Sequence, residues 1–336
     1  MTHYNLAMVG FGNVGRALAR LLLRKEAELK EQYGLTFAVT SIFTSRHGAA
    51  INQDGLDLLR CVERVEAGGS LREFSSQPAP TATLDFIRAS KADVLFENTP
   101  VNYQNGQPAI YHLQTALERG MHAITANKGP VVHGFRLLTD LAASKGRKFF
   151  FESAVMDGAP IFSLFRATLP AARLLSFRGV LNSTTNLILT RMEAGESFET
   201  AVAYAQSIGI AETDPSGDID GWDAAVKVAA LVTVLMDTSL KPVQVDRQGI
   251  RSITATEIAR AKAEGKRWKL VCSARWEGKD LRARVAPEMV PASSPLYSVE
   301  GTTSVIQFET DVLGLLSVVE ENPGPGTTAY GLLADF

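Results

Sequence analysis

LAMVGFGNVGRALARLLLR (6–24) is the stretch that decides the fold of the amino-terminal part of the chain. Its apolar start predicts a buried strand, and the pattern across 13–34 predicts a long amphipathic helix. Gly10, Gly12 and Gly15 join the two as GxGxxG. In this context the first glycine permits a tight turn, the second lets the backbone approach a pyrophosphate, and the third lets helix and strand pack closely. The helix start adds N–H donors for the phosphates, so the stretch predicts a dinucleotide-binding turn.

The first 150 residues continue this alternation of strand and helix patterns. Further strands are predicted at FAVTSIFT (37–44), DVLFENT (93–99), HAITAN (122–127) and RKFFFESAV (147–155). Residues 45–80 are rich in loop signals, with one short helix expected between them. The pattern predicts an α/β fold, a Rossmann-type doubly wound parallel sheet.

After residue 155 the pattern changes to a second domain of α+β type. Helical patterns dominate 160–209 and recur across 222–237 and 255–265. Strand-like segments follow, in the order RWKLVCSARWEG, DLRARVAPEMV, TSVIQFET and DVLGLLSVVE. The closing ENPGPGTTAYGLLADF ends in an apolar run that we expect to return to a core. The predicted division is 1–150 with 311–336, and 151–310.

Composition narrows the class of protein. The 336 residues carry 34 basic and 36 acidic side chains, a net charge of −2, without a basic stripe that would indicate nucleic acid or a membrane surface. No leader pattern and no run of about 20 apolar residues is present. Cys61 and Cys272 lack CxxC spacing, which indicates neither a disulfide framework nor a thiolate metal site. We therefore expect a cytoplasmic protein.

The end of the second predicted strand bears on the choice of cofactor. An acidic residue there favours NAD, whereas an arginine can accept the 2′-phosphate of NADP. The chain has Thr44, Ser45, Arg46 and His47, and no carboxylate before Asp54. This favours NADP over NAD, although Arg46 as a solvated loop residue remains an alternative.

Two lysines stand at notable positions. FENTP (96–100) and ITANK (124–128) each follow a predicted parallel strand on the side of the sheet where ligands bind, which puts Lys128 near a bound nicotinamide. DIDGWDAAVK (218–227) leads into an almost wholly apolar helix, on which Asp223 and Lys227 would lie one turn apart. A lone lysine on so apolar a helix is unusual for a solvent-exposed surface.

Four segments together resemble homoserine dehydrogenase: GFGNVG, TANK, SAVMDGAPI (153–161) and GVLNSTTNLILTRMEAGESFETAVAYAQSIGIAETDPSGDIDGWDAAVK (179–227). With TTAYGLLADF at the end, the resemblance spans nearly the whole chain; residues 45–80 and 240–310 match loosely. The chain resembles a short form without the carboxyl-terminal ACT domain. The resemblance implies interconversion of L-homoserine and L-aspartate 4-semialdehyde with NAD(P), in threonine and methionine biosynthesis. It also implies a homodimer formed through the substrate-binding second domain.

The resemblance also implies roles for individual residues. The catalytic lysines are Lys128 and Lys227. The substrate-binding residues are Glu212, Asp218, Asp223, Ser183 and Thr184. The cofactor-binding residues are Gly10, Phe11, Gly12, Asn13, Val14, Gly15, Arg46, Thr99, Pro100, Lys128 and Gly331. A sodium or potassium ion is implied at the loop around Glu152, Val155, Asp157 and Ala159, where VMDGAP replaces the family's VGGGIP or VAGGIP.

These residue types suit the chemistry. Aldehyde reduction needs a hydride at carbon and a proton at the developing alkoxide, which a lysine can donate. A second lysine nearby lowers the pKa of the first, and carboxylates are the natural partners of the substrate's α-ammonium. We assign the proton transfer to Lys128, with Lys227 positioning or sharing it; which lysine moves the proton stays open. Asp220 is left out of the site, as a turn residue before Gly221.

Two other functions are compatible with part of the pattern. A semialdehyde dehydrogenase that forms a thioester needs an activated cysteine near the nicotinamide, and neither Cys61 nor Cys272 is well placed for that. A non-catalytic NAD(P)-binding Rossmann sensor would explain the glycine turn and the second domain. It would not explain two lysines and three acids in a recognisable order.

Overall fold

A six-stranded sheet organises the first unit of the chain, Met1–Pro160 together with Gly324–Phe336. The computed structural model describes all residues, 1–336. The strands are β1 (Thr2–Val9), β2 (Leu35–Thr44), β3 (Gly48–Ile51), β4 (Val94–Glu97), β5 (His122–Thr125) and β6 (Phe149–Phe150). They lie in the order β3-β2-β1-β4-β5-β6, and all neighbours are parallel except β2 and β3. The predicted Rossmann-type sheet is confirmed.

Helices cover both faces of this sheet. They are α1 (Asn13–Tyr33), α2 (Leu58–Glu66), α3 (Thr83–Ser90), α4 (Ala109–Glu118), α5 (Lys128–His133) and α6 (Phe135–Ser144). Alternate residues of β1 point to opposite faces. Leu6 and Met8 join the apolar cluster that contains residues of α1 and α2, whereas Ala7 and Val9 join the cluster around Phe86 of α3. Because both faces of β1 are buried over residues 6–9, that half of the strand is continuously apolar rather than alternating.

Residues 45–80 are more regular than the sequence predicts. β2 turns back into β3, an antiparallel edge strand that pairs Ser41 with Ile51. The turn is closed by Thr44, whose Oγ1 accepts from the His47 N–H at 2.7 Å, and by Gly48 at φ +74°. The segment GAAI is too short to show a strand period, so its pairing was not predicted.

A second six-stranded sheet organises the unit Ile161–Pro323. Its strands are β7 (Leu174–Val180), β8 (Asp246–Arg247), β9 (Lys266–Glu277), β10 (Asp280–Pro291), β11 (Ser304–Thr310) and β12 (Gly314–Glu320), in the order β12-β11-β7-β9-β10-β8. All pairs are antiparallel except β10 with β8. The helices are α7 (Ser183–Glu193), α8 (Phe198–Ser207), α9 (Ser216–Ile219), α10 (Trp222–Leu235) and α11 (Ala255–Ala263). This is the predicted α+β arrangement.

The prediction that helix dominates 160–209 is wrong at β7, an interior strand of this sheet. β7 pairs with β9 on one side and β11 on the other. A Cβ at Gly179 would lie 2.4 Å from the Val305 carbonyl oxygen, so glycine permits the close approach of β7 and β11. The seven-residue strand is flanked by helical patterns, and only its distant partners reveal it.

The last helix, α12 (Pro325–Asp335), belongs to the first unit. Ala329 and Leu332 are buried in the cluster that holds Leu6, and the Phe336 ring contacts Tyr4 edge-on. The compact units divide at 160/161 and 323/324, whereas the sequence predicts boundaries at 150/151 and 310/311. Residues 311–323 lie with the second unit because β12 pairs with β11. None of the helices has the length and apolar character needed to cross a bilayer.

Candidate active site

An acidic cluster occupies the junction of α9 and α10 in the second unit. A short turn with Gly221 at φ +81° joins the two helices. Asp218 precedes this turn and Asp223 follows it. Lys227 lies one turn further along α10, with its Nζ 3.2 Å from Asp223 Oδ2. All residues from 223 to 233 except Lys227 are buried, and the Lys227 side chain is only 15% exposed. The expected unusual lysine is therefore paired inside the unit.

Asn182 joins the two aspartates, and the sequence did not single it out. Its Nδ2 donates to Asp218 Oδ1 at 2.7 Å and to Asp223 Oδ2 at 3.1 Å. Its Oδ1 accepts from the Thr185 N–H at 2.9 Å, which makes Asn182 the N-cap of α7. An asparagine directly before a helix was the only available signal, and it indicates a cap, not a bridge between carboxylates.

The chain before the cap holds the lysine. Lys227 Nζ donates to the Leu181 carbonyl oxygen at 2.5 Å. The junction between β7 and α7 therefore contacts all three charged groups of the cluster, through a backbone carbonyl for Lys227 and through a side-chain amide for Asp218 and Asp223. Since β7 is an interior strand, this junction is anchored on both sides.

The cluster has an excess of negative charge. Burial, and then the charge of Asp223, raises the pKa of Asp218, while hydrogen bonds from Asn182 and Thr184 and the charge of Lys227 oppose that rise. The cluster holds two carboxyl groups and one ammonium group, so its acidic groups outnumber its basic one. Such a site favours a cationic ligand group, whose charge would oppose the rise in the pKa of Asp218.

The other predicted substrate residues differ in position. Thr184 is buried and its Oγ1 donates to the Ile210 carbonyl at 3.3 Å; Ser183, beside it, is half-buried. Glu212 is exposed and makes no hydrogen bond with the cluster. Asp220 points elsewhere, into an ion pair with Arg251.

The glycine turn of the first unit has the geometry expected for a phosphate site. A Cβ at Gly10 (φ +93°) would lie 2.5 Å from the Asn98 carbonyl oxygen, and one at Gly15 would lie 2.6 Å from the Gly10 carbonyl oxygen. Gly12 has no neighbour within 4 Å of its missing Cβ. It caps α1 without any side-chain hydrogen bond, and Gly12 and Asn13 are exposed at the helix start, where the first N–H groups have no partner within the helix. The buried Phe11 ring anchors the turn in the core.

Lys128 is the first residue of α5, at the carboxyl edge of the same sheet. Asn127 caps this helix, since its Oδ1 accepts from the Gly129 N–H at 2.9 Å. Asn127 Nδ2 donates to the carbonyl oxygens of Thr99 at 3.1 Å and Pro100 at 3.4 Å. The loops after β4 and β5, which carry Thr99, Pro100 and Lys128, are thus bonded to each other.

A cavity of about 980 Å³ opens beyond the end of β2. Arg46 lines it, and so does Arg72, which the sequence did not single out. Arg72 lies over Gly48, where a Cβ would come within 3.3 Å of its side chain. Neither guanidinium forms an ion pair, and hydroxyl groups of Ser70 and Ser75 also line this cavity. Two cations and several hydroxyls suit an anionic ligand group.

The VMDGAP turn keeps a glycine-like backbone without the glycines. Met156 and Asp157 lie at φ +53° and +44°, in the left-handed region. Asp157 Oδ2 accepts from the Gly324 N–H at 2.8 Å and from Thr327 Oγ1 at 3.1 Å, so its carboxylate is engaged at the start of α12. The turn's backbone hydrogen bond joins Ala159 N–H to the Met156 carbonyl, at 2.9 Å.

The VMDGAP turn and the packing of α12 against it also account for the predicted metal-binding carbonyls and for Gly331. The carbonyl oxygens of Val155 and Asp157 accept no backbone hydrogen bond in the turn and can serve as cation ligands. Gly331 of α12 lies against the preceding segment, where a Cβ would come within 2.3 Å of Ser153 Oγ. Close packing of α12 therefore explains this glycine.

Neither cysteine is a nucleophile at neutral pH. Cys61 and Cys272 are fully buried, and burial raises the pKa of each thiol to about 12. Chemistry through a thioester needs a thiolate, which such a pKa prevents. The semialdehyde dehydrogenase alternative therefore lacks its nucleophile.

A glycine turn of this geometry on a Rossmann-type sheet is typical of dinucleotide-binding proteins, and Lys128 follows β5 at the carboxyl edge of the same sheet. The family described as "Homoserine dehydrogenase, NAD binding domain" matches residues 10–152, and "Homoserine dehydrogenase" matches residues 160–336. The chain belongs to the homoserine dehydrogenase family.

Individual relatives agree over the whole length. Homoserine dehydrogenase of Methanocaldococcus jannaschii is 39% identical over 333 residues, which cover 99% of this chain and 97% of the relative. The "NAD(+)-dependent homoserine dehydrogenase" of Pseudomonas canavaninivorans is 34% identical, with 100% and 96% coverage. The crystal structure of homoserine dehydrogenase from Thermoplasma acidophilum is similar at a TM-score of 0.83 and 26% identity, with 99% and 98% coverage.

The charge imbalance of the cluster makes a prediction for the titration of Asp218. Carbon-detected NMR should give a midpoint above the ordinary value of 3.8, because burial and Asp223 both disfavour its ionised form. Asp223→Asn should lower that midpoint, since it removes the neighbouring charge that disfavours the ionised form of Asp218. Asp220→Asn, the control, should not move it. A midpoint at or below 3.8 in the unsubstituted protein would contradict the described electrostatics.

Proposed function

We propose that the protein oxidises L-homoserine to L-aspartate 4-semialdehyde and catalyses the reverse reduction, with NADP as the preferred cofactor. The observation that carries this proposal is the buried cluster of Asp218, Asp223 and Lys227 under the Asn182 amide. The excess of acidic over basic groups in this cluster fits the α-ammonium group that distinguishes an amino-acid substrate from a simple alcohol. Family membership supplies the reaction class.

The substrate half of the reaction is assigned to the second unit. Asp218 and Asp223 bind the ammonium group of L-homoserine, and Thr184 and Ser183 line the start of α7 beside them. Glu212, which is exposed, completes the acidic set. Lys227 already donates to the Leu181 carbonyl and pairs with Asp223, which suits a positioning role better than repeated proton transfer.

The redox half is assigned to the first unit. A nicotinamide cofactor held by this unit would supply the acceptor for the hydride that leaves C4 of homoserine. Lys128 takes the proton from the hydroxyl group as the aldehyde forms, and returns it to the alkoxide in the reverse direction. Its place at the carboxyl edge of the sheet, after β5, supports this role. The N–H groups at the start of α1 bind the pyrophosphate.

The preference for NADP is supported by two arginines. Arg46 and Arg72 line the cavity beyond β2, where the 2′-phosphate of the adenosine ribose would lie, and no acidic side chain lines it. The relative from Pseudomonas canavaninivorans is named as NAD(+)-dependent, which keeps NAD as the alternative. A guanidinium fork bound to phosphate would favour NADP strongly at this position.

Two further features belong to the same proposal. A sodium or potassium ion binds at the VMDGAP turn through carbonyl oxygens of Val155 and Asp157, with Glu152 and Ala159 completing the set. A homodimer forms through the second sheet, whose edge strand β12 exposes Leu315 (66%) and Val319 (56%). These two apolar side chains lie four residues apart and therefore point to the same face of the sheet.

Turnover of L-homoserine is the direct test of the proposal. Purified protein with L-homoserine and NADP at alkaline pH should produce NADPH, measured by its absorbance near 340 nm, because loss of a proton favours oxidation. The rate should be larger in potassium or sodium buffer than in a large organic cation buffer, because the ion stabilises the VMDGAP turn. Absence of turnover with both NADP and NAD, in both sodium and potassium, would overturn the proposed function.

Substitution of the cavity arginines tests the cofactor preference. Arg46→Ala should raise KM for NADP by about 10- to 100-fold, the cost of one charge-assisted hydrogen bond to phosphate, with KM for NAD changed less than about threefold. Arg72→Ala should act in the same direction. Arg119→Ala, an exposed arginine of the same unit, is the control. Equal effects of Arg46→Ala on both cofactors would contradict a 2′-phosphate site.

A further inference from the structure

Glu97 is a buried carboxyl group that the proposed reaction does not use. It is the last residue of β4 and is 0% exposed. Removal of a carboxylate from water is costly unless hydrogen bonds or charges compensate for it. The hydrogen bonds of Glu97 must therefore offset the cost of its burial at the carboxyl edge of the sheet, and these bonds indicate what the residue does.

The partners of Glu97 come from three elements. Its Oε1 accepts from the Thr99 N–H at 3.2 Å and also from the Thr99 hydroxyl. Thr125 Oγ1, at the end of β5, shares its one proton between the Glu97 main-chain carbonyl at 2.8 Å and Glu97 Oε2 at 3.1 Å. His112 of α4, itself buried, lies with Nδ1 3.4 Å from Oε1 and is the basic side chain in contact with it. The carboxyl group therefore links the ends of two neighbouring strands.

A closed ring of hydrogen bonds results. Thr125 Oγ1 accepts from the Asn127 N–H at 3.0 Å, and Asn127 Nδ2 donates to the Thr99 carbonyl at 3.1 Å. Thr99 in turn donates to Glu97. The ring Glu97–Thr125–Asn127–Thr99 fixes the two loops to each other. Lys128 follows Asn127 directly, so the ring also fixes the backbone at the start of Lys128.

We propose that Glu97 is a positioning residue for Lys128: through Thr125 and Asn127 it holds the lysine where proton transfer takes place. The inference rests on the proposed function, which gives Lys128 that role. A displacement of about 1 Å at a reacting group can cost about 100-fold in rate, so the ring has a direct bearing on turnover. A buried carboxyl with only a structural role would affect stability and leave the rate of the folded enzyme unchanged.

Thr125 allows a test that leaves the carboxyl in place. Thr125→Val keeps the shape of the side chain and removes the hydroxyl, whereas Thr125→Ser keeps the hydroxyl. Thr125→Val and Glu97→Gln should each lower kcat at least about tenfold, with KM for L-homoserine within about threefold, because the substrate's acidic partners lie in the other unit. Thr125→Ser should retain kcat within about threefold.

Thr40→Val is the matched control for loss of a buried hydroxyl. Thr40 is likewise 0% exposed in the same sheet, and its Oγ1 donates to the Leu6 carbonyl at 3.4 Å, away from the ring. Its kcat should stay within about threefold of that of the unsubstituted enzyme. A thermal unfolding curve of each variant gives a temperature at which all of them are folded. The kcat values are compared at that temperature.

A second readout does not depend on turnover. The rate at which an acylating reagent modifies Lys128, followed by mass spectrometry, should change at least about threefold in Thr125→Val, while that of the exposed Lys145 should not. Absence of L-homoserine turnover in the unsubstituted protein would refute the proposed function. The acylation rates of Lys128 would still test whether Glu97 and Thr125 position that lysine. Unchanged kcat and unchanged Lys128 acylation in folded Thr125→Val and Glu97→Gln would overturn the inference.

Discussion

The hydrogen bonds from one amide, Asn182, to two aspartates are the interaction on which the second unit's site depends. Asp218 and Asp223 repel each other, and burial strengthens that repulsion because the effective dielectric constant falls. They stay together because Asn182 donates one N–H to each and because Lys227 supplies one positive charge. On the proposed function, this excess of acidic over basic groups is the property that selects an ammonium-bearing substrate.

The first unit follows the same physical scheme with different residues. Each unit places a buried polar network at the carboxyl end of an interior strand: Asn182 comes two residues after β7 ends, and Glu97 is the last residue of β4. An interior strand is held by neighbours on both sides, so groups at its end have little positional freedom. Loops that carry function gain precision from such a scaffold. In the first unit this precision serves Lys128, and in the second it serves the acidic cluster.

Features that depend on local spacing were predictable from the sequence, and features that depend on distant pairing were not. The glycine turn and the strand edge before Lys128 follow from GFGNVG and ITANK, since each motif contains its own strand and turn signals. β7 is a strand because β9 and β11 flank it, which no window around LLSFRGV reveals. The same holds for polar networks: the bonds from Asn182 reach 36 and 41 residues along the chain. Family resemblance supplied the roles of Asp218, Asp223 and Lys227, and the structure supplied the residue that joins the two aspartates.

The most direct measurement compares L-homoserine with 4-hydroxybutanoate, which has the same alcohol and carboxylate but lacks the amino group. If the buried aspartates select the ammonium group, kcat/KM should favour L-homoserine by about 10³-fold or more, because a site built to bond a polar group rejects the analogue without it. In Asp218→Asn and Asp223→Asn this preference should fall by at least about tenfold, and in the control Asp220→Asn it should persist. Comparable use of both alcohols by the unsubstituted protein would contradict the account.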